Sequence, residues 1–348
     1  MLLPGIGASG QEALAAAHVL VVGCGALGSV AIDQLARAGV GTLTLVDRDI
    51  VETTNLQRQT LYVEGDVTAG TPKAEAAARR VRAIDSSLVA HPVVEHLGTD
   101  NVIELLRGVD LVVDGLDNFP TRYLLNDACV REGVPWIYGG AVATGGMSMP
   151  ILPEGAANIV TPCLRCVFPE APPPGSTPTC DTAGVLAAAV ATVASHQVAQ
   201  AIKLLVGAVD ALDRDLVSWE LWSNQVRRMR LDEARRADCP CCGIRSFPHL
   251  EAASEEQAVT LCGRNAVQVV PGRHSGPVEL DLPALSERLA PHGDFEVVAG
   301  TLRGRIDGLE GESGDPVELT VFPDGRAIIF GSIEPEFARS TYARFIGQ

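Results

Sequence analysis

Short apolar runs alternate with amphipathic stretches through the first half of the chain. Each apolar run has the length of a buried strand, and each amphipathic stretch has the periodicity of a helix. Strands are predicted at residues 19–22, 43–46, 88–94, 110–114 and 136–138. Helices are predicted at residues 27–38, 73–84, 101–106 and 121–132. This alternation predicts a doubly wound, mainly parallel sheet with helices on both faces.

The pattern changes after the fifth predicted strand. The glycine-rich stretch GGAVATGGMSMPIL predicts two antiparallel strands that extend the sheet. The most apolar window, residues 185–206, favours a buried helix over a membrane span because polar side chains interrupt it. These are His196, Gln197, Gln200 and Lys203.

The last hundred or so residues have a different character, which indicates a second, small α+β domain. Strands are predicted at residues 266–270, 318–322 and 326–330, and helices at residues 282–289 and 335–345. The first of these helices is capped by Asp281, and the last has Phe337, Thr341, Tyr342 and Phe345 on one side. We therefore expect an N-terminal domain of residues 1–249 and an accessory domain of residues 250–348, for which no motif indicates a role.

Composition narrows the class of protein. With 47% hydrophobic residues the chain can bury a large core, and a formal net charge of -16 argues against nucleic acid as a partner. The N-terminus, MLLPGIGASG, lacks the pattern of a secretory signal, so a cytoplasmic location without a membrane partner is predicted. Nine cysteines in such a chain favour metal or redox chemistry over disulfides.

A glycine-rich loop joins the first predicted strand to the first predicted helix. Gly23, Gly25 and Gly28 form the G-x-G-x-x-G pattern, and Asp47 ends the second strand. In a Rossmann-like fold such a loop lets a phosphate approach a helix N-terminus, and the acidic residue accepts hydrogen bonds from a ribose. NAD, FAD and ATP can all use this geometry. Alternatively, the glycines only allow the strand and helix to pack closely.

The residues after Asp47 favour a triphosphate. Arg58 and Lys73 would bring positive charge to the loop, which a triphosphate needs and a dinucleotide does not. Asp117, at a strand end, is a suitable ligand for magnesium. The alternatives are solvated surface charges for the two cations and a helix N-cap for Asp117 or Asn118.

Two Cys-x-x-Cys pairs predict a closed tetrahedral zinc site that staples the end of the first domain to its middle. The predicted ligands are Cys163, Cys166, Cys239 and Cys242. Cys241 could replace Cys242 as a ligand. Redox-active pairs are a second alternative, although neither pair follows a thioredoxin-like pattern.

Five stretches, in this order along residues 3–245, resemble the MoeB/ThiF family, the bacterial relatives of ubiquitin-activating enzymes. They are VVGCGALGS, LVDRDIVETTNLQRQTLY, GTPKAEAAARRV, VVDGLDNFPTRYLLNDAC and CLRCVFPE. The resemblance implies a homodimeric adenylyltransferase that uses ATP, magnesium and zinc. Its substrate would be the C-terminal Gly-Gly carboxylate of a MoaD- or ThiS-type ubiquitin-like sulfur carrier, for molybdopterin, thiamine or related sulfur transfer, with release of pyrophosphate.

The resemblance also implies roles for individual residues. Asp47 would hold the ribose, Asn55, Arg58 and Lys73 the phosphates, and Asp117 the magnesium, while Arg122 would support the Asp117 loop. The full implied nucleotide set is Gly23, Gly25, Gly28, Asp47, Asn55, Arg58, Lys73, Leu116, Asp117, Asn118 and Arg122. The implied catalytic set is Arg58, Lys73, Asp117 and Cys180. Cys180, which follows a proline-rich stretch, resembles the family cysteine that links covalently to the carrier; a purely structural Cys180 is the alternative.

Two other functions are compatible with these sequence features. The glycine loop and Asp47 would also suit an NAD-dependent oxidoreductase. A non-catalytic carrier-binding scaffold is the other alternative, because family members have an Arg-containing segment ahead of the LLPGIG match whereas this sequence starts at Met1.

Overall fold

The computed structural model describes residues 3–169, 184–251, 257–261, 265–270, 280–311 and 314–346. The chain divides into two compact units, Met1–Ala252 and Ala253–Gln348.

The strands of the first unit are β1 (His18–Val22), β2 (Thr42–Val46), β3 (Val89–Val93), β4 (Leu111–Asp114), β5 (Trp136–Val142), β6 (Gly145–Ile151), β7 (Leu216–Glu220) and β8 (Gln225–Met229). Its helices are α1 (Gly7–Ala16), α2 (Ala26–Ala38), α3 (Glu64–Thr68), α4 (Lys73–Ile84), α5 (Val102–Leu105), α6 (Phe119–Glu132), α7 (Leu164–Val167), α8 (Ala187–Leu205) and α9 (Pro248–Glu251).

These strands form one sheet in the order β3-β2-β1-β4-β5-β6-β7-β8. In this order, the neighbouring strands from β3 to β5 pair parallel, and those from β5 to β8 pair antiparallel. This confirms the predicted parallel sheet with an antiparallel extension. Because the parallel strands run the same way, the loops after β1, β2 and β4 meet at one edge. All the predicted nucleotide residues come from this edge or from the segments that follow it.

Both faces of the parallel strands are buried, as their continuous apolar runs predict. Val19 and Val21 of β1 belong to one hydrophobic cluster, with α2, α4 and part of α8. Leu20 and Val22 belong to a second cluster, with α6 and the cysteine-containing segments. The second cluster therefore packs the cysteine motifs against the helix that follows the Asp117 loop.

Helix α8 corresponds to the apolar window at residues 185–206 and is a core helix. Gln197 on this helix is fully buried and donates hydrogen bonds to the carbonyl oxygens of Asp114 (2.8 Å), the last residue of β4, and Ile137 (3.0 Å), the second residue of β5. Within the described residues, no helix combines the length and hydropathy that a membrane crossing requires.

The second unit contains one antiparallel sheet in the order β11-β12-β13-β14-β10-β9. Its strands are β9 (Gln257–Leu261), β10 (Ala266–Val270), β11 (Gly293–Val298), β12 (Thr301–Glu310), β13 (Pro316–Val321) and β14 (Ala327–Phe330). Its helices are α10 (Leu282–Leu289) and α11 (Pro335–Phe345). Phe345 and Tyr342 of α11 pack into the same core as β10 and β13.

Candidate functional site

The glycine loop between β1 and α2 has two closely packed glycines and one open one. Gly23 has a φ of +89°, which favours glycine, and its N–H donates to the carbonyl oxygen of Val46 at 2.7 Å. A Cβ on Gly28 would lie 1.9 Å from the carbonyl oxygen of Gly23, so no side chain fits there. A Cβ on Gly25 would meet only the side-chain nitrogen of Gln59, at 3.9 Å. The open space at Gly25 is where a phosphate could approach the backbone.

The Asp47 carboxylate holds this loop in place. Its Oδ2 accepts from the N–H of Cys24 at 2.7 Å, and its Oδ1 accepts from the N–H of Asp49 at 2.8 Å. Burial raises the pKa of Asp47 above its ordinary value, and the nearby Lys73 ammonium acts in the opposite direction. Asp47 thus has a role in the loop's structure in addition to the ribose contact that the sequence predicts.

Lys73 is buried, only 3% exposed, at the first turn of α4. Its Nζ donates to Oδ2 of Asp49 at 2.9 Å, and its backbone N–H donates to the carbonyl oxygen of Asp49 at 2.8 Å. Sequence reasoning missed Asp49, although it lies two residues after Asp47 in the same motif. The ion pair with Asp49 compensates the charge of the buried Lys73 ammonium beside the glycine loop. An uncompensated buried charge would destabilise the folded state.

The segment after β2 brings two buried amides to the same edge. Asn55 is 2% exposed and Gln59 is 4% exposed, and their side-chain carbonyl oxygens have no hydrogen-bond partner among the described residues. Such polar atoms are usually satisfied, so these two indicate a site for a ligand or water. Arg58 is half-buried, and its Nη1 donates to the carbonyl oxygen of Thr54 at 2.9 Å. Gln59 was not predicted, although it lies in the quoted NLQRQ stretch.

At the end of β4, a buried ion pair shapes the next loop. Nε of Arg122 donates to Oδ2 of Asp114 at 2.9 Å, and its Nη2 donates to the carbonyl oxygens of Leu116 (2.5 Å) and Gly139 (2.8 Å). Burial raises the pKa of Asp114, while Arg122 acts in the opposite direction. Arg122 therefore supports the loop, and the Asp114 partner was missed from sequence.

Asp117 and Asn118 occupy the exposed tip of this loop. Asn118 caps α6, because its Oδ1 accepts from the N–H of Thr121 at 3.0 Å. Asp117 is exposed, and its Oδ1 accepts from Nδ2 of Asn118 at 3.1 Å. No hydrogen bond of the described residues joins Asp117 to Arg58 or Lys73, so their convergence would need a ligand between them.

The four predicted zinc cysteines come together. The sulfur atoms of Cys163, Cys166, Cys239 and Cys242 all lie within 4.8 Å of one another. Four thiols at such separations are compatible with tetrahedral zinc. The fifth thiol, Cys241, instead accepts a hydrogen bond from Nδ2 of Asn126 at 3.1 Å. Cys180 and Cys262 lie outside the described residues.

Comparison with known proteins identifies the family. A protein-family model with the description "ThiF family" matches residues 1–241 of this chain. The chain belongs to the ThiF family. This agrees with the resemblance carried by the five sequence motifs.

Two relatives resemble the chain over different lengths. The sulfur carrier protein ThiS adenylyltransferase of Bacillus subtilis is 40% identical over 342 residues, covering 98% of this chain and 96% of the relative. The SAMP-activating enzyme E1 of Haloferax volcanii is 42% identical over 243 residues, 70% of this chain and 86% of the relative. These relatives are named as carrier-activating enzymes, so the oxidoreductase alternative is not favoured.

Solved structures share the fold of this ThiF-family chain. A crystal structure of E. coli MccB with AMPCPP and MccA superposes with a TM-score of 0.57 at 22% identity, covering 68% of this chain and 69% of MccB. This likeness supports the sheet architecture described above.

The different surroundings of Gly25 and Gly28 give a first prediction. Gly28→Ala should lower the melting temperature, since its Cβ would collide with the Gly23 carbonyl. Gly25→Ala should melt near the wild-type temperature but bind ATP more weakly, because the added methyl group occupies the open space. Thermal melting and equilibrium dialysis with ATP measure the two effects. Equal losses of stability in both variants would contradict this description of the loop.

Proposed function

We propose that this chain activates a ubiquitin-like sulfur carrier of the ThiS type by adenylylating its C-terminal Gly-Gly carboxylate with ATP. The observation that carries the proposal is the buried Lys73 ammonium beside the open Gly25 backbone. At the same edge, the side-chain carbonyl oxygens of Asn55 and Gln59 have no hydrogen-bond partner among the described residues. A ThiS-type carrier is favoured because the Bacillus subtilis relative matches along nearly the whole chain.

The reaction depends more on neutralising the negative charge of the ATP phosphates than on acid or base catalysis. A carboxylate oxygen of the carrier attacks the α-phosphorus of ATP, the bond from that phosphorus to the bridging oxygen breaks, and pyrophosphate leaves. The carboxylate is already ionised, so no proton has to be removed. Lys73 and Arg58 would stabilise the negative charge on the phosphates.

The residues at the edge also suit the cofactors. Asp117 offers exposed carboxylate oxygens, the ligands that magnesium prefers, in the loop after β4. When bound, magnesium would neutralise further phosphate charge. The four-cysteine cluster suits zinc, which would stabilise the end of the first unit.

Three further parts of the proposal depend on the family resemblance and the thiol chemistry. We infer a homodimer, a cytoplasmic location in which the thiols stay reduced, and a covalent role for Cys180. In that role the Cys180 thiolate would attack the adenylated carboxyl carbon and displace AMP.

The proposed function is tested by ATP–pyrophosphate exchange with a purified ThiS-type carrier. Exchange should require the carrier, and a carrier lacking its two terminal glycines should not support it. Absence of exchange with every Gly-Gly-ended carrier tested would refute the proposal.

Lys73 gives a second prediction with a matched control. The chain has only two lysines, and Lys203 contacts Gln200 on α8, away from the nucleotide edge. Lys73→Ala should slow carrier-dependent exchange by about 100-fold or more, since a phosphate contact is lost. Lys203→Ala should exchange at the wild-type rate. Near-normal exchange by Lys73→Ala would exclude its phosphate role.

The cysteine cluster gives a third prediction. Cys166→Ser should lose bound zinc and melt at a lower temperature, because structural zinc contributes directly to folding free energy. Cys241→Ser should keep its zinc, since that sulfur contacts Asn126 instead. Elemental analysis and melting curves measure both effects. Loss of zinc from Cys241→Ser with retention in Cys166→Ser would reverse the ligand assignment.

A further inference from the structure

Tyr62 is a buried tyrosine between the glycine loop and the helix that carries Lys73. It is 5% exposed, and its hydroxyl donates to the carbonyl oxygen of Cys24 at 2.6 Å. The same hydroxyl lies 3.3 Å from the carbonyl oxygen of Lys73. Tyr62 ends the quoted LVDRDIVETTNLQRQTLY stretch and has no part in the function proposed so far.

Two hydrogen bonds at Cys24 fix the peptide groups on either side of it: Asp47 holds the Gly23–Cys24 peptide and Tyr62 holds the Cys24–Gly25 peptide. The N–H of Cys24 is held by Asp47 at 2.7 Å, and its carbonyl oxygen is held by Tyr62. In a trans peptide the carbonyl of one residue and the N–H of the next point in opposite directions. A Cys24 carbonyl that points at Tyr62 therefore turns the Gly25 N–H away from Tyr62.

The Gly25 N–H is placed to donate a hydrogen bond to a ligand. It precedes the first turn of α2 and has no hydrogen-bond partner within the part of the chain that the structure describes. A backbone donor at a helix N-terminus with open space beside it is a favourable contact for a phosphate.

We propose that Tyr62 is a positioning residue, which orients the Cys24–Gly25 peptide so that the Gly25 N–H donates to a phosphate of ATP. The proposal rests on the ATP site of the proposed function and adds a residue that is not in the nucleotide set implied by the family resemblance. Burial raises the pKa of the Tyr62 hydroxyl well above its ordinary value, so the hydroxyl stays a donor at neutral pH.

The second unit offers a matched control. Tyr342 is also buried, and its hydroxyl donates to the carbonyl oxygen of Gly325 at 2.6 Å. Tyr342→Phe therefore removes the same kind of hydrogen bond in another unit of the chain. A purely structural role for Tyr62 would make the two Tyr→Phe variants behave alike.

The test compares the affinities of ATP with magnesium and of adenosine in the full-length protein, by equilibrium dialysis. Tyr62→Phe should bind ATP about 3- to 10-fold more weakly and adenosine as the wild type does, because one hydrogen bond that orients a phosphate contact is lost. Tyr342→Phe should bind both ligands normally. Wild-type affinity for ATP in Tyr62→Phe, or an equal loss for ATP and adenosine, would overturn the proposal.

A second measurement follows the Gly25 amide by NMR. Addition of ATP should shift its resonance in the wild type and shift it less in Tyr62→Phe. A wild-type protein that binds ATP but shows no carrier-dependent exchange would contradict the adenylylation and leave the Tyr62 role standing. A wild-type protein that binds no ATP would refute both.

Discussion

The hydrogen bond between the Cys24 N–H and the Asp47 carboxylate ties together the elements of the nucleotide edge. It joins the loop after β1 to the end of β2 at 2.7 Å. The other carboxylate oxygen fixes the backbone of Asp49, whose own side chain and carbonyl hold Lys73 at the start of α4. Asp47 therefore links two segments of this edge directly and, through Asp49, the start of α4. Their precise placement matters because phosphoryl chemistry depends on positioned charge.

At the nucleotide edge of the sheet, each buried cation is paired with an aspartate, although the chain as a whole is strongly acidic. The protein has a formal net charge of -16, yet the edge keeps the buried cations Lys73 and Arg122, each beside an aspartate. Arg122 has the Asp114 carboxylate and two carbonyl oxygens as hydrogen-bond partners, so it shapes the loop after β4. In the proposed function, the Lys73 ammonium exchanges the Asp49 carboxylate for a phosphate of ATP, which carries the higher negative charge. This difference separates a structural cation from one available to a ligand.

The sequence predicted the first unit well because its signals are local. Apolar strand runs, the glycine spacing and the Cys-x-x-Cys pairs each depend on a few neighbouring residues, and the observed α4 (Lys73–Ile84) matches its predicted bounds. The first turn of α6 was missed: this helix begins at Phe119, two residues before the predicted start, since Asn118 caps it. Strands β7, β8, β9, β11 and β12 were also missed. In β8, β11 and β12 the charged and glycine residues lack clear alternation.

Within the site, sequence reasoning found the residues of known motifs but not their partners. Asp49, Gln59, Tyr62 and Asp114 all act through contacts that the fold creates. A carboxylate two residues after another, or a tyrosine that ends a motif, has no distinctive spacing. Only the position of a carbonyl or an ammonium in space shows what such a residue holds.

The most direct test of this account is a crystal structure of the protein with a non-hydrolysable ATP analogue and magnesium. We expect the Gly25 N–H and the Lys73 ammonium both to lie within hydrogen-bond distance of phosphate oxygens, with Tyr62 still bonded to the Cys24 carbonyl. Phosphates bound elsewhere, with the Lys73 ammonium still bonded to Asp49 and to no phosphate oxygen, would contradict this prediction.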